Sequence, residues 1–148
     1  MSSEPTSGLM RTGWTDDGPN ARPWGVGNPG WLYLNQFGRV VYEAFGVYPF
    51  LVGSSLKEKV APRDVDVRLV LPQSHYVAEV GPASECGKPF TRWSALSMAF
   101  SALGQRMTGL PVDFQIQTTG HANVYEAFQR RRIGIDWDTA LRGEEASE

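Results

Sequence analysis

The chain has 148 residues, of which 41% are hydrophobic, and its 14 basic and 16 acidic residues give a net charge of −2. This composition predicts one domain with its own core, and it excludes a general electrostatic attraction to nucleic acid. The single cysteine, Cys86, excludes a disulfide framework and favours a reducing compartment. No apolar run approaches the ~20 residues of a membrane span, and the first residues do not have the pattern of a secretion signal, so we expect a cytoplasmic protein without a membrane partner.

Residues 1–30 are rich in glycine and proline, which argues against regular secondary structure. We expect an N-terminal arm whose first dozen residues are disordered. Exposure of the Trp14 and Trp24 side chains to water is unfavourable. We therefore expect that part of the arm packs onto the domain or onto a partner subunit.

The first predicted helix spans residues 31–44, where apolar residues recur at helical spacing, and Gly46 is a typical C-terminal stop. An apolar strand follows at residues 47–52 and ends at Gly53. Residues 54–60 then predict a short helix or turn.

The second half begins with a strand at residues 65–71, followed by a surface loop at residues 73–90 that contains at most a small strand at 76–80. The strongest helix pattern covers residues 91–107, with Thr91 as its N-cap. Alternating residues predict a third strand at 112–118.

A last helix is predicted at residues 123–132, and residues 143–148 form an acidic tail. The order of these elements predicts an α/β (α+β) fold over residues 31–142, in which helices pack on one face of a small mixed β-sheet.

Three carboxylates stand out against this framework. Asp64 and Asp66 are two residues apart, so in a strand they share one face, while Val65 and Val67 point into the core. Two like charges on one face repel each other, and a divalent cation such as Mg²⁺ removes the repulsion. Asp113 points outward on the third predicted strand.

The sequence contains, in this order, a Gly-Ser turn, a short gap, an Asp-hydrophobic-Asp strand and a later strand with a third carboxylate. In the order of these motifs it resembles the nucleotidyltransferase superfamily, the DNA polymerase β-like fold. The resemblance covers residues 32–130. It implies that Asp64, Asp66 and Asp113 are catalytic and bind Mg²⁺ or Mn²⁺. The activity it implies is transfer of a nucleoside monophosphate from an NTP, such as ATP, to a hydroxyl on an RNA, a protein or a small molecule.

Nucleotide binding is assigned to the turn that precedes the two aspartates. Gly53 lets the backbone approach a phosphate, since it has no Cβ. Ser54 and Ser55 supply hydroxyl and backbone N–H groups, and Lys57 is placed to reach the β- and γ-phosphates. Glu58 departs from the family, which commonly has a small residue there.

Two other functions stay open. A catalytically silent relative could serve as a binding or structural subunit, and an oligosynthetase-type enzyme could make a nucleotide signal without a macromolecular acceptor. The chain is too small for the acceptor-binding domains of large family members, so we expect acceptor recognition from a homo-oligomer, from a small helical partner protein, or from the N-terminal arm together with the 73–90 loop. The Arg130–Arg132 run could bind nucleic-acid phosphates, but as the last turn of a helix it is better explained by the helix dipole.

Overall fold

The computed structural model describes residues 26–27, 29–56, 63–124 and 130–135. Within these ranges the chain forms helices and strands, numbered here in chain order: α1 (Gly30–Phe45), β1 (Phe50–Val52), β2 (Val65–Leu71), α2 (Gln73–Val80), α3 (Arg92–Thr108), β3 (Val112–Thr118), α4 (Thr119–Val124) and β4 (Arg130–Arg132). Two short 3₁₀ turns lie at Gly53–Leu56 and Ala83–Glu85.

The described strands form one four-stranded sheet in the order β3-β2-β1-β4. β2 and β3 run parallel, whereas β1 is antiparallel to both β2 and β4. The predicted mixed α/β fold with a small mixed sheet is therefore confirmed. In the described part of the chain, no helix is both long enough and apolar enough to cross a membrane.

Strand alternation places one face of the sheet in the core. Val65 and Val67 of β2 are fully buried, as are Phe114 and Ile116 of β3. The ring of Phe37 on α1 meets Phe114 edge-on, with the ring centroids 6.1 Å apart. The strand predictions for residues 65–71 and 112–118 are confirmed, and the aspartates of these strands lie on the opposite face.

Local sequence signals fix the ends of the two long helices. The side chain of Thr91 accepts a hydrogen bond from the Ser94 backbone N–H, and the Ser94 hydroxyl accepts one from the Thr91 backbone N–H. This reciprocal capping box satisfies two backbone donors that the helix itself leaves free. Gly46 ends α1 in a left-handed conformation, as predicted.

The outer edge of β3 is covered by side chains of α3. The indole Nε1 of Trp93 donates to the Ile116 carbonyl at 2.9 Å. The hydroxyl of Ser101 accepts from the Phe114 backbone N–H at 2.8 Å. An edge strand otherwise presents unpaired backbone groups to other chains. Helix α3 therefore closes this edge and fixes the strand that carries Asp113.

The prediction of a loop at residues 73–90, with at most a small strand at 76–80, is wrong over residues 73–80, whereas residues 81–90 contain no α-helix or strand. Residues 73–80 form α2, which buries Tyr76 and Val80 one turn apart on the same helical face. His75 and Glu79, also four residues apart, lie 3.3 Å from each other between Nε2 and Oε2. These two i, i+4 pairs stabilise a short helix where Tyr-Val-Ala-Glu-Val had suggested a strand.

Two further element predictions need correction. The strand predicted at residues 47–52 is shorter and spans only Phe50–Val52. The helix predicted at residues 123–132 is wrong at its end, because Arg130–Arg132 form β4 against β1. The arginines therefore do not complement a helix dipole. The start of the predicted helix overlaps α4, described over Thr119–Val124, and residues 125–129 lie outside the described residues.

Much of the predicted arm and tail lies outside the described residues, including Trp14, Trp24 and residues 136–148. Val26, near the end of the arm, is fully buried in the core. The Trp31 backbone N–H donates to the Gly27 carbonyl at 2.7 Å, which joins the arm to the start of α1.

The buried phenol of Tyr76 predicts a loss of stability in alkali. Burial, with a smaller effect of the neighbouring Cys86 thiol, raises the pKa of Tyr76 from 10.0 to about 12. The folded state therefore disfavours the phenolate, and the contribution of this group to the free energy of unfolding is complete below the unfolded pKa. As the pH rises from about 10 to about 12, the contribution should fall by about 1.4 kcal/mol per pH unit.

Urea unfolding of the wild type and of Tyr76→Phe at several alkaline pH values measures this effect. The free energy of unfolding of the wild type should fall more steeply with pH than that of the variant, which has no phenol at position 76. Parallel curves for the two proteins would exclude a raised pKa at Tyr76.

Candidate functional site

Asp66 and Asp113 face each other across two neighbouring strands. They are register partners in the parallel pair of β2 and β3, so their backbones are about 4.8 Å apart. Both side chains point away from the core, and the relative exposures are 27% for Asp66 and 40% for Asp113. The pair forms a concentration of negative charge on the face of the sheet that does not contribute to the core.

Arg68 lies between the two carboxylates. One of its terminal nitrogens is 3.7 Å from Asp66 Oδ1 and 3.6 Å from Asp113 Oδ2. The other donates to the backbone carbonyls of Asp113 at 2.8 Å and Val67 at 3.1 Å. The backbone bonds hold the guanidinium in place, while the two ion pairs are longer than hydrogen bonds. The single positive charge of Arg68 thus lies between two negative charges.

The Gly53 turn packs directly against Asp66. Gly53 has a φ of +83°, and a Cβ there would meet Asp66 Oδ2 at 2.6 Å. Only glycine combines this conformation with this contact. The group that lies against Gly53 in the described chain is the carboxylate of Asp66. The role of Gly53 in letting the backbone approach a phosphate stays a prediction.

The two serines after Gly53 differ in burial. Ser54 is half-buried, whereas Ser55 is fully buried. In the described part of the chain, the Ser55 hydroxyl has no hydrogen-bond partner, which is an unusual state for a buried polar atom. Their assignment to nucleotide binding stays a prediction. Lys57, the fourth residue of that assignment, lies outside the described residues, as does Glu58.

A cavity of about 250 Å³ opens beside Asp66. Gly53 and Arg68 also line it, and Gln117 and Arg130 contribute further polar groups. Asp113 instead lines a separate groove of about 410 Å³ between β3 and α3. The two carboxylates are therefore reached from different sides.

Asp64 is placed differently from the other two aspartates. It precedes the first residue of β2, and it is exposed. Over the described ranges, no three His, Cys, Asp or Glu side chains are grouped so as to hold a metal ion. The structure brings Asp66 and Asp113 together, and Asp64 lies at the open end of the same strand without completing the cluster.

Three residues of the site were not assigned to it by the sequence predictions: Arg68 and Gln117, which were not considered, and Arg130, which was considered only as part of a run in the last turn of a helix. The sequence could have placed Arg68 and Gln117 on this face, because every second residue of a strand points the same way. Asp66, Arg68 and Val70 share one face of β2, as Asp113, Gln115 and Gln117 do on β3. Arg130 reaches the cavity through a strand that had been predicted as a helix, so its place could not have been found from local patterns.

The chain was compared with known proteins, and no family model, curated protein or solved structure matches it.

Proposed function

We propose that the protein is a metal-dependent nucleotidyltransferase, which moves a nucleoside monophosphate from an NTP to a hydroxyl on an RNA, protein or small-molecule acceptor. The observation that carries the proposal is the Asp66–Asp113 pair, aligned on neighbouring parallel strands beside the Gly53 turn. A nucleotidyltransferase-like arrangement of the sheet belongs to the same proposal.

The donor set of the site fits a hard divalent cation. Asp66 and Asp113 offer carboxylate oxygens, which Mg²⁺ and Mn²⁺ prefer. The resemblance adds Asp64 as a third ligand. A cation that took both carboxylates would replace the two long contacts that one Arg68 nitrogen makes to them, while the backbone hydrogen bonds of the other nitrogen could stay. When bound, such a cation neutralises charge on the triphosphate and lowers the pKa of the attacking hydroxyl.

The reaction forms one bond and breaks one. The acceptor oxygen bonds to the α-phosphorus, and the bond from that phosphorus to the bridging oxygen breaks, so pyrophosphate leaves with the electron pair. Asp113 is the candidate acceptor for the hydroxyl proton, because it is the more exposed of the paired carboxylates. Gly53 keeps the turn close to Asp66. With Gly53, Ser54, Ser55 and Lys57 are the candidates for phosphate binding.

A catalytically silent binding protein is the second candidate. The position of Arg68 favours it, because a guanidinium already occupies the space between the two carboxylates. In that case Arg68 is a permanent structural counter-ion, and the site binds neither cation nor nucleotide.

Thermal unfolding with NTP and Mg²⁺ separates the two candidates. A ligand that binds only the folded state at about 100 times its Kd adds about 2.7 kcal/mol, which raises the Tm of a chain of this size by about 5 to 10 °C. We expect such a rise for the wild type and none for an Asp66→Asn/Asp113→Asn variant. If no NTP raises the Tm of the wild type, the silent function is supported.

A further inference from the structure

Strand β4 brings a second charged cluster, Arg130–Arg132, beside the carboxylates. In β4, Arg131 points inward and its guanidinium lies 4.8 Å from the centroid of the Trp31 ring. Arg130 and Arg132 point to the opposite face, where they flank Phe50 of β1 at 4.8 and 5.3 Å from its ring centroid. We call Arg130, Arg132 and Phe50 the arginine face.

The arginine face lies on the same side of the sheet as the carboxylate pair. Val52 of β1 is the register partner of both Arg130 and Asp66, so the three residues form one row across three strands. Two strand spacings of about 4.8 Å separate Arg130 from Asp66, and both residues line the 250 Å³ cavity. A ligand on the arginines therefore reaches the carboxylates without leaving this face.

Arg130 and Arg132 differ from Arg68 in whether a described carboxylate lies close to the guanidinium. Arg68 lies between two carboxylates, whereas the described partners of Arg130 are the Phe50 ring and the neutral amide of Asn123, at 3.2 Å. Arg132 likewise has the Phe50 ring as its described partner. Arginine stays protonated at all physiological pH values. The arginine face thus carries two positive charges that no described carboxylate neutralises.

The spacing of Arg130 and Arg132 suits successive phosphates of a nucleic-acid chain. A guanidinium binds a phosphate through two parallel hydrogen bonds, and residues two apart in a β-strand are about 6.6 Å from each other. That spacing is comparable with the distance between successive phosphates of a nucleic-acid chain. Contact with the Phe50 ring restrains both side chains before any ligand arrives, which lowers the entropic cost of binding.

We infer that the arginine face binds the backbone phosphates of a single-stranded nucleic acid and directs its terminal hydroxyl to Asp66 and Asp113. The cavity beside Asp66 has a volume of about 250 Å³, which suits the end of one nucleic-acid strand and not a duplex. A nucleotide end supplies phosphate and hydroxyl on one molecule, which suits neighbouring positive and negative groups. The role of the hydroxyl rests on the proposed transferase activity, whereas phosphate binding does not.

Fluorescence anisotropy with a labelled single strand of about 12 nucleotides tests the inference. The strand is offered as RNA and as DNA, in chelator and without NTP, to the wild type and to Arg130→Gln/Arg132→Gln. We expect the double variant to bind about tenfold more weakly or worse. The slope of log K against log salt should also become shallower by about 1.4, because two phosphate contacts are lost.

Two further variants serve as controls. Arg106→Gln removes an exposed arginine in the last turn of α3 and should leave binding unchanged. Arg130→Lys/Arg132→Lys keeps the charges and should recover part of the affinity, which separates charge loss from misfolding. Urea unfolding of each variant checks that the sheet is intact.

Several results would overturn the inference: no binding of either strand by the wild type, equal binding by the Gln double variant, or competition by AMP that matches competition by the unlabelled strand. The last result would assign the face to a mononucleotide. Failure of the proposed transferase activity gives a different result: the protein would still bind the single-stranded nucleic acid, but it would transfer no nucleotide.

Discussion

Replacing Asp66 or Asp113 by asparagine should lower the rate of nucleotidyl transfer at least about a thousandfold, which corresponds to about 4 kcal/mol of lost transition-state stabilisation. Asparagine keeps the size and shape of the side chain but removes the negative charge that would hold a divalent cation. The two carboxylates are register partners on neighbouring strands, so losing either one breaks the pair.

The rates are measured as release of pyrophosphate and as transfer of label from an NTP labelled in its α-phosphate. Glu43→Gln is the matched control, because Glu43 is an exposed carboxylate on α1 that pairs with Arg39 at 3.0 Å. It should be as active as the wild type. An Asp66→Asn protein that keeps most of the activity would remove this carboxylate from the mechanism.

Gly38→Ala should destabilise the fold by about 2 to 3 kcal/mol, because it forces extra volume into a closely packed site. A Cβ at Gly38 would lie 2.7 Å from the carbonyl carbon and oxygen of Ile133 and 2.8 Å from the Gly134 nitrogen. These are backbone atoms, so no side-chain rotation relieves the contact. The same contact docks the end of β4 on α1, where Asn35 Oδ1 accepts from the Gly134 N–H at 2.8 Å.

Urea unfolding measures the change in the free energy of unfolding. Gly120→Ala is the matched control, since a Cβ there meets no atom within 4 Å and alanine is the better helix former. The control should be neutral or slightly stabilising. Gly38→Ala should also weaken the binding of single-stranded nucleic acid by the arginine face, because this contact holds β4 in position. Equal stability of the two variants would contradict the docking of β4 on α1.

The local parts of the fold could be predicted from the sequence. The alternation of Val65 and Val67 with Asp66, and of Phe114 and Ile116 with Asp113, specified both parallel strands and their buried faces. The Thr91 cap and the Gly46 stop marked the ends of two helices. In each case the deciding interaction spans a few residues, so pattern and propensity agree with the tertiary structure.

Long-range interactions decided the parts that could not be predicted. Residues 130–132 become a strand because β1 offers an open edge and because Arg131 stacks on Trp31, which is 100 residues earlier in the sequence. The short α2 was obscured by the prolines and glycines around it, and only the burial of Tyr76 and Val80 reveals its helical face. Arg68 shares one face of β2 with Asp66, but its position between the two carboxylates depends on the pairing of β2 with β3, which the pattern within one strand does not reveal.

The measurement that tests the central proposal most directly is transfer of label from α-phosphate-labelled NTPs by the purified protein in Mg²⁺, with single-stranded RNA, a protein extract and small hydroxyl compounds as separate acceptors. We expect the wild type to label an acceptor and release pyrophosphate, and Asp66→Asn/Asp113→Asn to do neither. Absence of transfer from every NTP to every acceptor, or equal transfer by the double variant, would contradict the assignment of Asp66 and Asp113 as the catalytic pair.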